Sequence, residues 1–220
     1  NIDNKMATSQ TFLNLPIKKQ ERILDGALSE FAEKGYARAS LNSLVAQLGI
    51  AKGSIFQYFQ DKAGLFSHVF DFAVNRVKSH LRGIREETKG CDVFSRIQMS
   101  LIAGLDMIDK NPLLFKLYLK IMFESEIPFR AQLLQSILLF GRDYIVDLLK
   151  EGIDAGELDP NLDLNLAAFV VEAVLERFLV ASAVEHMDPD LGIFAADRYE
   201  VEKRSKQVVQ ILKSGLVYHL

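Results

Sequence analysis

The stretch Leu48-Gly49-Ile50-Ala51-Lys52-Gly53-Ser54-Ile55-Phe56-Gln57-Tyr58-Phe59-Gln60-Asp61-Lys62 decides how the chain is read. Before it, Leu41, Leu44, Val45 and Leu48 recur at i, i+3, i+4 and i+7, the spacing of one apolar helix face. Ser40 is placed to cap the start of that helix. Gly49 stands just past its last apolar residue, where a left-handed closing residue costs glycine no Cβ penalty. Two residues later a second short helix begins. Its Ala51, Ile55 and Phe59, at i, i+4 and i+8, are expected to pack inward, which leaves Lys52, Ser54, Gln57 and Tyr58 facing out. Two short helices joined at Gly49-Ile50, with Ile50 in the angle between them, make a helix-turn-helix. The DNA major groove admits a helix and displays donors and acceptors on its base edges. A lysine and short polar side chains at a helix start are therefore what reading it requires. Gly53 lets a backbone come close. Asp61 can cap the helix that follows, and its N-terminal amides together with Lys62 offer a phosphate site.

Upstream, Ile23, Leu24, Ala27, Leu28 and Phe31 form the apolar face of a helix that starts near Pro16 and ends at Lys34-Gly35. The run ILDGALSEFAEKGYARASLNSLVAQLGIAKGSIFQYFQDKAGLF resembles the DNA-binding domain of the tetracycline-repressor (TetR) family of bacterial regulators. The resemblance spans about residues 17 to 66 and rests on ordered, closely spaced parts. These are the helix end from Phe31 to Gly35, the Ser40 cap, Leu48-Gly49-Ile50, the aromatics at 56 to 59, and Asp61-Lys62. It implies that three helices bind DNA, that the remainder is a ligand-binding and dimerising bundle, and that ligand binding releases the operator. It also implies base and nearby backbone contacts from Lys52, Gly53, Ser54 and Gln57, phosphate contacts from Ser40, Tyr58 and Lys62, and an extra base contact from Asn42. Three positions depart from the family pattern. Phe56 stands in place of a common tyrosine, Ala51 in place of a serine or threonine cap, and Ala63-Gly64 where a glutamate often completes a capping box.

Helical periodicity continues through the rest of the chain, with no convincing period-two run, so the fold class is all-α with about nine helices. The pattern and the prolines predict helices over 62–86, 92–109, 112–124, 128–155, 163–187 and 197–218. A flexible segment is expected at 1–15, with residues 1–5 a remnant ahead of a start at Met6. A DNA-binding domain is expected at 16–61 and a ligand-binding and dimerisation domain at 62–220.

Residues 164–184 are apolar nearly all the way round a helix, yet Glu172, Glu176 and Arg177 sit mid-segment, where a bilayer would penalise them. A helix apolar on all sides is expected to be buried on all sides. One face can pack within the subunit and another, with the last helix, against a second copy. Phe169, Val180, Val208, Leu212 and Leu216 are the candidate dimer-interface residues. Phe94, Met99, Phe115, Tyr118, Met122, Phe140 and Tyr144 form an aromatic and methionine concentration that is packing in the ordinary case and the wall of an effector pocket in the functional one, with Glu172 available to orient a ligand.

The chain's net charge of −3 gives no global signal for nucleic acid, but its first 64 residues carry eight basic against six acidic side chains. Cys91 is the only cysteine, so there is no intrachain disulfide and no thiolate cluster, and a reducing cytoplasm is the expected setting. His68, His80, His186 and His219 are widely spaced, and no metal or cofactor is expected. No nucleophile elbow, phosphate-cradling loop or triad signature points to an enzyme. The favoured reading is a cytoplasmic, dimeric, ligand-responsive repressor on a near-palindromic operator, released by an apolar or amphipathic small molecule. A dimeric helical interaction module without DNA binding is the alternative, and a helical-bundle enzyme stands third.

Overall fold

The structure is a computed structural model that describes residues 9–188, 190–194 and 196–216, and of Leu216 the backbone only. The expectations for residues 1–5, Met6, the Leu216 side chain and the helix beyond residue 216 lie outside the described residues. Within them the chain is helical without a strand. Its helices are α1 (Gln10–Leu13), α2 (Ile17–Arg38), α3 (Leu41–Leu48), α4 (Lys52–Phe59), α5 (Lys62–Glu87), α6 (Val93–Lys110), α7 (Pro112–Phe123), α8 (Arg130–Asp154), α9 (Leu164–Ala183) and α10 (Arg198–Leu216). None of them is long and apolar enough to cross a membrane.

The elements follow the sequence pattern closely, and the differences have local causes. Helix α1 falls in the segment expected to be flexible. Ser9 caps it through the Phe12 amide, and buried Phe12 packs its ring 4.7 Å from that of Phe59 and 5.7 Å from that of Tyr58. Burying one phenylalanine contributes roughly 1.5 to 3 kcal/mol, enough to hold a single turn in place. Helix α8 starts two residues later than its proline suggested, because Phe129 takes a positive φ of 57°. The helix expected over 163–187 ends at Ala183 and is followed by a separate 3₁₀ turn, Glu185–Met187.

Packing divides the chain into two compact units. The first runs through Lys78 and takes in Asn111–Gln135; the second comprises Ser79–Lys110 and the chain from Ser136 onward. The first therefore extends beyond the three helices of 16–61 and includes α7. Helix α2 has one face against α3 and another against α7, where Lys116 pairs with Glu33 at 2.7 Å. Its core joins Ile23, Leu28 and Phe31 of α2 to Leu44 of α3, Ile55 and Phe59 of α4, and Leu65 and Phe66 of α5, all buried. The Phe31 and Phe66 rings meet edge to face at 4.9 Å.

The second unit is built on α6, α8, α9 and α10. One apolar cluster joins Ile97 and Leu101, Leu148 and Leu149, Val171 and Phe178, and Val209 and Leu212 across these helices. Helix α6 starts at Asp92, whose carboxylate accepts from the amides of Phe94 and Ser95 at 3.1 Å each and from the Ser95 hydroxyl. The Ser95 hydrogen bond leads the effects that hold the Asp92 carboxyl below its ordinary pKa. Arg96, almost fully buried, pairs with Glu151, which also receives Arg85.

Candidate nucleic-acid interface

The site is assembled by three local devices. At the end of α2, Gly35 leaves the helical region with φ 72° and ψ 167°, so the chain turns toward α3. An ideal Cβ on Gly35 would meet only the mobile carboxylate end of Glu124, so it is the positive φ rather than space that calls for glycine here. Ser40 then caps α3, accepting the Ser43 amide at 3.3 Å. Its own amide donates to Glu30 Oε1 at 2.7 Å, and Lys34 pairs with the same buried carboxylate at 2.8 Å. Glu30 thus ties the start of α3 to α2.

The turn itself closes on Gly49, which adopts φ 62° and ψ 35°. Its amide donates to Ala46 O, and the Ile50 amide reaches back to Val45 O at 3.1 Å. That 6→1 bond satisfies a carbonyl the helix would otherwise leave open. Helices α2 and α3 approach closely because position 26 is glycine. A Cβ there would meet Leu48 Cδ2 at 2.9 Å. Beyond α4, Gln60 takes φ 68° and Asp61 accepts the Gly64 amide at 2.7 Å. A Cβ on Gly64 would sit 2.1 Å from Phe59 O, so α5 can start this close to α4 only with glycine there. The half of a capping box that Asp61 supplies is present, and the reciprocal half is replaced by this close approach.

Helix α4 places its residues in two sets. Ile55, Tyr58 and Phe59 are buried, whereas Lys52, Gly53, Phe56 and Gln57 are exposed and Ser54 is half-buried. The side chains of Lys52 and Gln57, with that of Asn42 on α3, make no hydrogen bond or ion pair with the described residues. Gly53 opens onto free space, with no atom within 4 Å of an ideal Cβ.

Two sequence expectations are corrected here. Tyr58, expected to face outward, is only 7 % exposed, because its ring closes on Phe12 of α1 and its carbonyl accepts the Ser9 amide. Ala51, expected to pack inward, is exposed at the N-cap of α4, where it provides no side-chain bond. The cover on Tyr58 comes from a segment expected to be flexible, whereas the exposure of Ala51 follows from its place at the cap, outside the helical repeat that Ile55 and Phe59 share.

Lys62 is half-engaged. Its Nζ donates to Ala37 O at 3.1 Å and lies 4.8 Å from the centre of the Tyr36 ring, which leaves part of the ammonium's donor capacity outward. Burial lowers the lysine's pKa from its ordinary value, and the Glu30 carboxylate opposes that shift. Glu30 and Gly26 are the positioning residues that periodicity overlooked. A glutamate on the otherwise apolar face of α2 was the available signal for the first.

Both halves of the chain match family descriptions. Residues 23–69 match the model for bacterial regulatory proteins of the tetR family, and residues 91–217 match the tetracyclin repressor-like C-terminal domain. The chain belongs to the TetR family. It is similar to the fatty acid metabolism regulator protein of Bacillus subtilis, at 24 % identity over 90 % of this chain and 95 % of that one. The transcriptional regulator AcrR of Shigella flexneri is 25 % identical over 88 % of this chain and 86 % of its own. Among solved structures, a TetR-family transcriptional regulator from Chloroflexus aurantiacus aligns with a TM-score of 0.70 and 27 % identity, covering 96 % of this chain and 99 % of the other. FadR from Bacillus subtilis, solved with stearoyl-CoA, shares the fold at a TM-score of 0.70 and 19 % identity, over 90 % and 99 % of the two chains. The protein is a TetR-family transcriptional regulator with an N-terminal helix-turn-helix, and its relatives are regulators rather than enzymes.

The candidate effector residues fall into both units. Phe115, Tyr118 and Met122, all half-buried, belong to the first, where the Phe115 and Tyr118 rings lie 5.7 Å apart. In the second, Tyr144 shares a 2.7 Å hydrogen bond with Ser100, and Phe140 is half-buried. Glu172 reaches the α8 backbone, 2.7 Å from where a Cβ of Gly141 would be. Burial raises the Glu172 pKa; Glu176 adds to the rise and Arg142 opposes it. Two of the set are corrected. Phe94 belongs to the packed core, with Lys213 Nζ 5.5 Å from its ring, and Met99 stands on the surface.

The candidate interface residues divide in the same way. Val180 and Leu212 are buried within their own unit, and Val208 packs beside Leu212 against the core. Phe169 is 66 % exposed. Helix α9 is therefore not covered all round. Leu166, Phe169 and Val170, at i, i+3 and i+4, leave an apolar strip open on α9, and Ile211 stands open on α10.

Proposed function

We propose that this chain is an operator-binding repressor that acts as a dimer and is released by an apolar or amphipathic small molecule. The observation that carries the reading is the outer face of α4 with its neighbour on α3. Lys52, Gln57 and Asn42 hold unengaged polar groups at exposed positions around an open glycine. Unengaged donors on a short helix held by a left-handed glycine turn match what a major groove accepts. In this reading Lys52, Gly53, Ser54, Gln57 and Asn42 meet base edges and nearby backbone. Ser40, within a DNA-binding domain over 16–61, and the remaining donors of Lys62, at the start of the helix that follows it, hold phosphates. Tyr58 contributes by fixing the helix rather than by touching DNA.

The dimer is supported by the open strip of Leu166, Phe169 and Val170 and by Ile211, apolar surface that a second copy would cover by two-fold symmetry. The effector reading is supported, within the second unit, by half-buried Phe140 and Tyr144 on α8 and by half-buried Glu172, which reaches Gly141 of the same helix. FadR was solved with stearoyl-CoA, and a fatty acid metabolism regulator is among the relatives, which makes long-chain acyl compounds the first class to test. A coupling of about 1 to 3 kcal/mol between effector and operator would change operator affinity by about 5- to 150-fold, and operator must weaken effector binding by the same factor.

Selection from random duplex DNA at low salt tests the function. The expected result is enrichment of a near-palindrome with half-sites about 34 to 36 Å apart or a multiple of that spacing. Absence of any palindromic enrichment would favour the dimeric interaction module instead.

A further inference from the structure

One residue on the outer face of α4 has no polar chemistry to offer. Phe56 is 44 % exposed, while every other aromatic on that helix is buried. Its ring enters none of the aromatic contacts that join Phe12, Tyr58 and Phe59. Four residues after Lys52, it shares a flank of α4 with that lysine, and it lies next to Gln57. A single exposed phenylalanine is ordinary on a protein surface and by itself means nothing. Its setting is what matters here. It stands on a face whose other members are an unengaged lysine, an unengaged glutamine and a glycine with nothing beside it.

A phenyl ring cannot hydrogen-bond a phosphate or a base edge. The major groove presents one apolar group among its donors and acceptors, the C5-methyl of thymine. We propose that Phe56 is a specificity-determining residue that reads a thymine in each half-site through its 5-methyl group. The inference rests on the operator-binding reading above and names what one of its positions recognises. It makes the methyl, rather than the pairing edge, the recognised feature. Deoxyuridine in place of that thymine should then be a poor substitute, and 5-methylcytosine a better one than cytosine.

The test uses the full chain and an operator obtained by selection. Each thymine is replaced in turn by deoxyuridine, and affinity is measured by fluorescence anisotropy at fixed salt. Removing one methyl-sized contact should weaken binding about fourfold per half-site, and about fifteenfold when both half-sites are changed. Phe56→Ala should bind the thymine operator as weakly as the unmodified chain binds the deoxyuridine operator, and should no longer distinguish the two. Replacing the same pair by 5-methylcytosine–guanine should restore affinity relative to cytosine–guanine in the unmodified chain only. Two results would overturn the proposal while operator binding stands: no thymine responds to demethylation in the unmodified chain, or Phe56→Ala loses affinity equally for thymine and deoxyuridine operators. The first needs no variant and is immune to misfolding. Failure to bind any selected DNA would overturn the operator reading itself, and this inference with it.

Discussion

Nothing among the described residues requires position 53 to be glycine. Its conformation is helical, and an added Cβ would meet no atom within 4 Å. Glycine weakens a helix relative to alanine by up to about 1 kcal/mol, so the residue is a local cost that packing does not explain. Gly53→Ala is therefore expected to raise the melting temperature, by at most about 2 to 4 °C for a chain of this size, and to lower operator affinity. Calorimetry and anisotropy on the same preparation check both signs. Glu151 and Glu172 give opposite pH signatures at the same scale. The Arg96 hydrogen bond holds Glu151 below its ordinary pKa, with Arg85 assisting. A depressed carboxyl contributes stability above its unfolded pKa and loses it as pH falls through the folded value, so this contribution disappears below the ordinary carboxylate range. Glu172 is raised by burial, so the folded state holds its proton where the unfolded chain has released it, and stability falls as pH rises through that window. Glu172→Gln should stabilise at pH 7 and not at pH 4. Glu151→Gln should destabilise at pH 7, by about 1 to 3 kcal/mol because buried Arg96 loses its partner, and flatten the acid limb. Thermal melts across pH distinguish them.

Helix α5 carries two glycines in opposite circumstances. At Gly64 an added Cβ would lie 2.1 Å from the Phe59 carbonyl, whereas at Gly83 it would meet nothing. Gly64→Ala should cost about 1 to 3 kcal/mol, since rigid backbone must move, and Gly83→Ala should gain up to about 1 kcal/mol. Denaturant melts of the two variants with an unchanged slope would check this. The pair also marks what was readable in advance. Apolar periodicity placed α3 and α5 to α7 within a residue or two, because each has one clear face and a capping residue or proline at its start, and it placed α2 up to the break at Gly35, beyond which one further turn runs to Arg38. The Gly49 turn was readable because left-handed closure favours glycine. The role of Gly64 was not, because a close approach between two backbones leaves no periodic trace. Helix α1 was missed because four residues carry no period, and Tyr58 was misplaced with it, since its cover comes from Phe12.

Across the whole molecule, the second unit shows why an apolar helix cannot be assigned to core or interface from sequence. Leu212 and Ile211 are adjacent on α10, yet Leu212 is 7 % exposed and Ile211 73 %. Charge at Leu212 would enter the core of its own subunit and unfold it, so it is no probe of association. Phe169→Glu or Ile211→Glu should leave the melting of a monomer intact and move the monomer–dimer equilibrium toward monomer by at least tenfold, as sedimentation would read. A Phe169→Glu chain that sediments as the unmodified chain does would place the contact elsewhere. The candidate effector residues were the least readable feature, because an aromatic at helical spacing looks the same whether it lines a core or a pocket; Phe94 lies inside the core cluster, and Tyr144, half-buried, packs against the same cluster. Whether the open face of α4 reads sequence is measured by titrating operator and scrambled DNA with the unmodified chain and with Gln57→Ala. Gln57→Ala should lose about 1 to 3 kcal/mol on operator and nothing on scrambled DNA. Equal affinities of the two proteins for operator, or an equal loss on both DNAs, would contradict it.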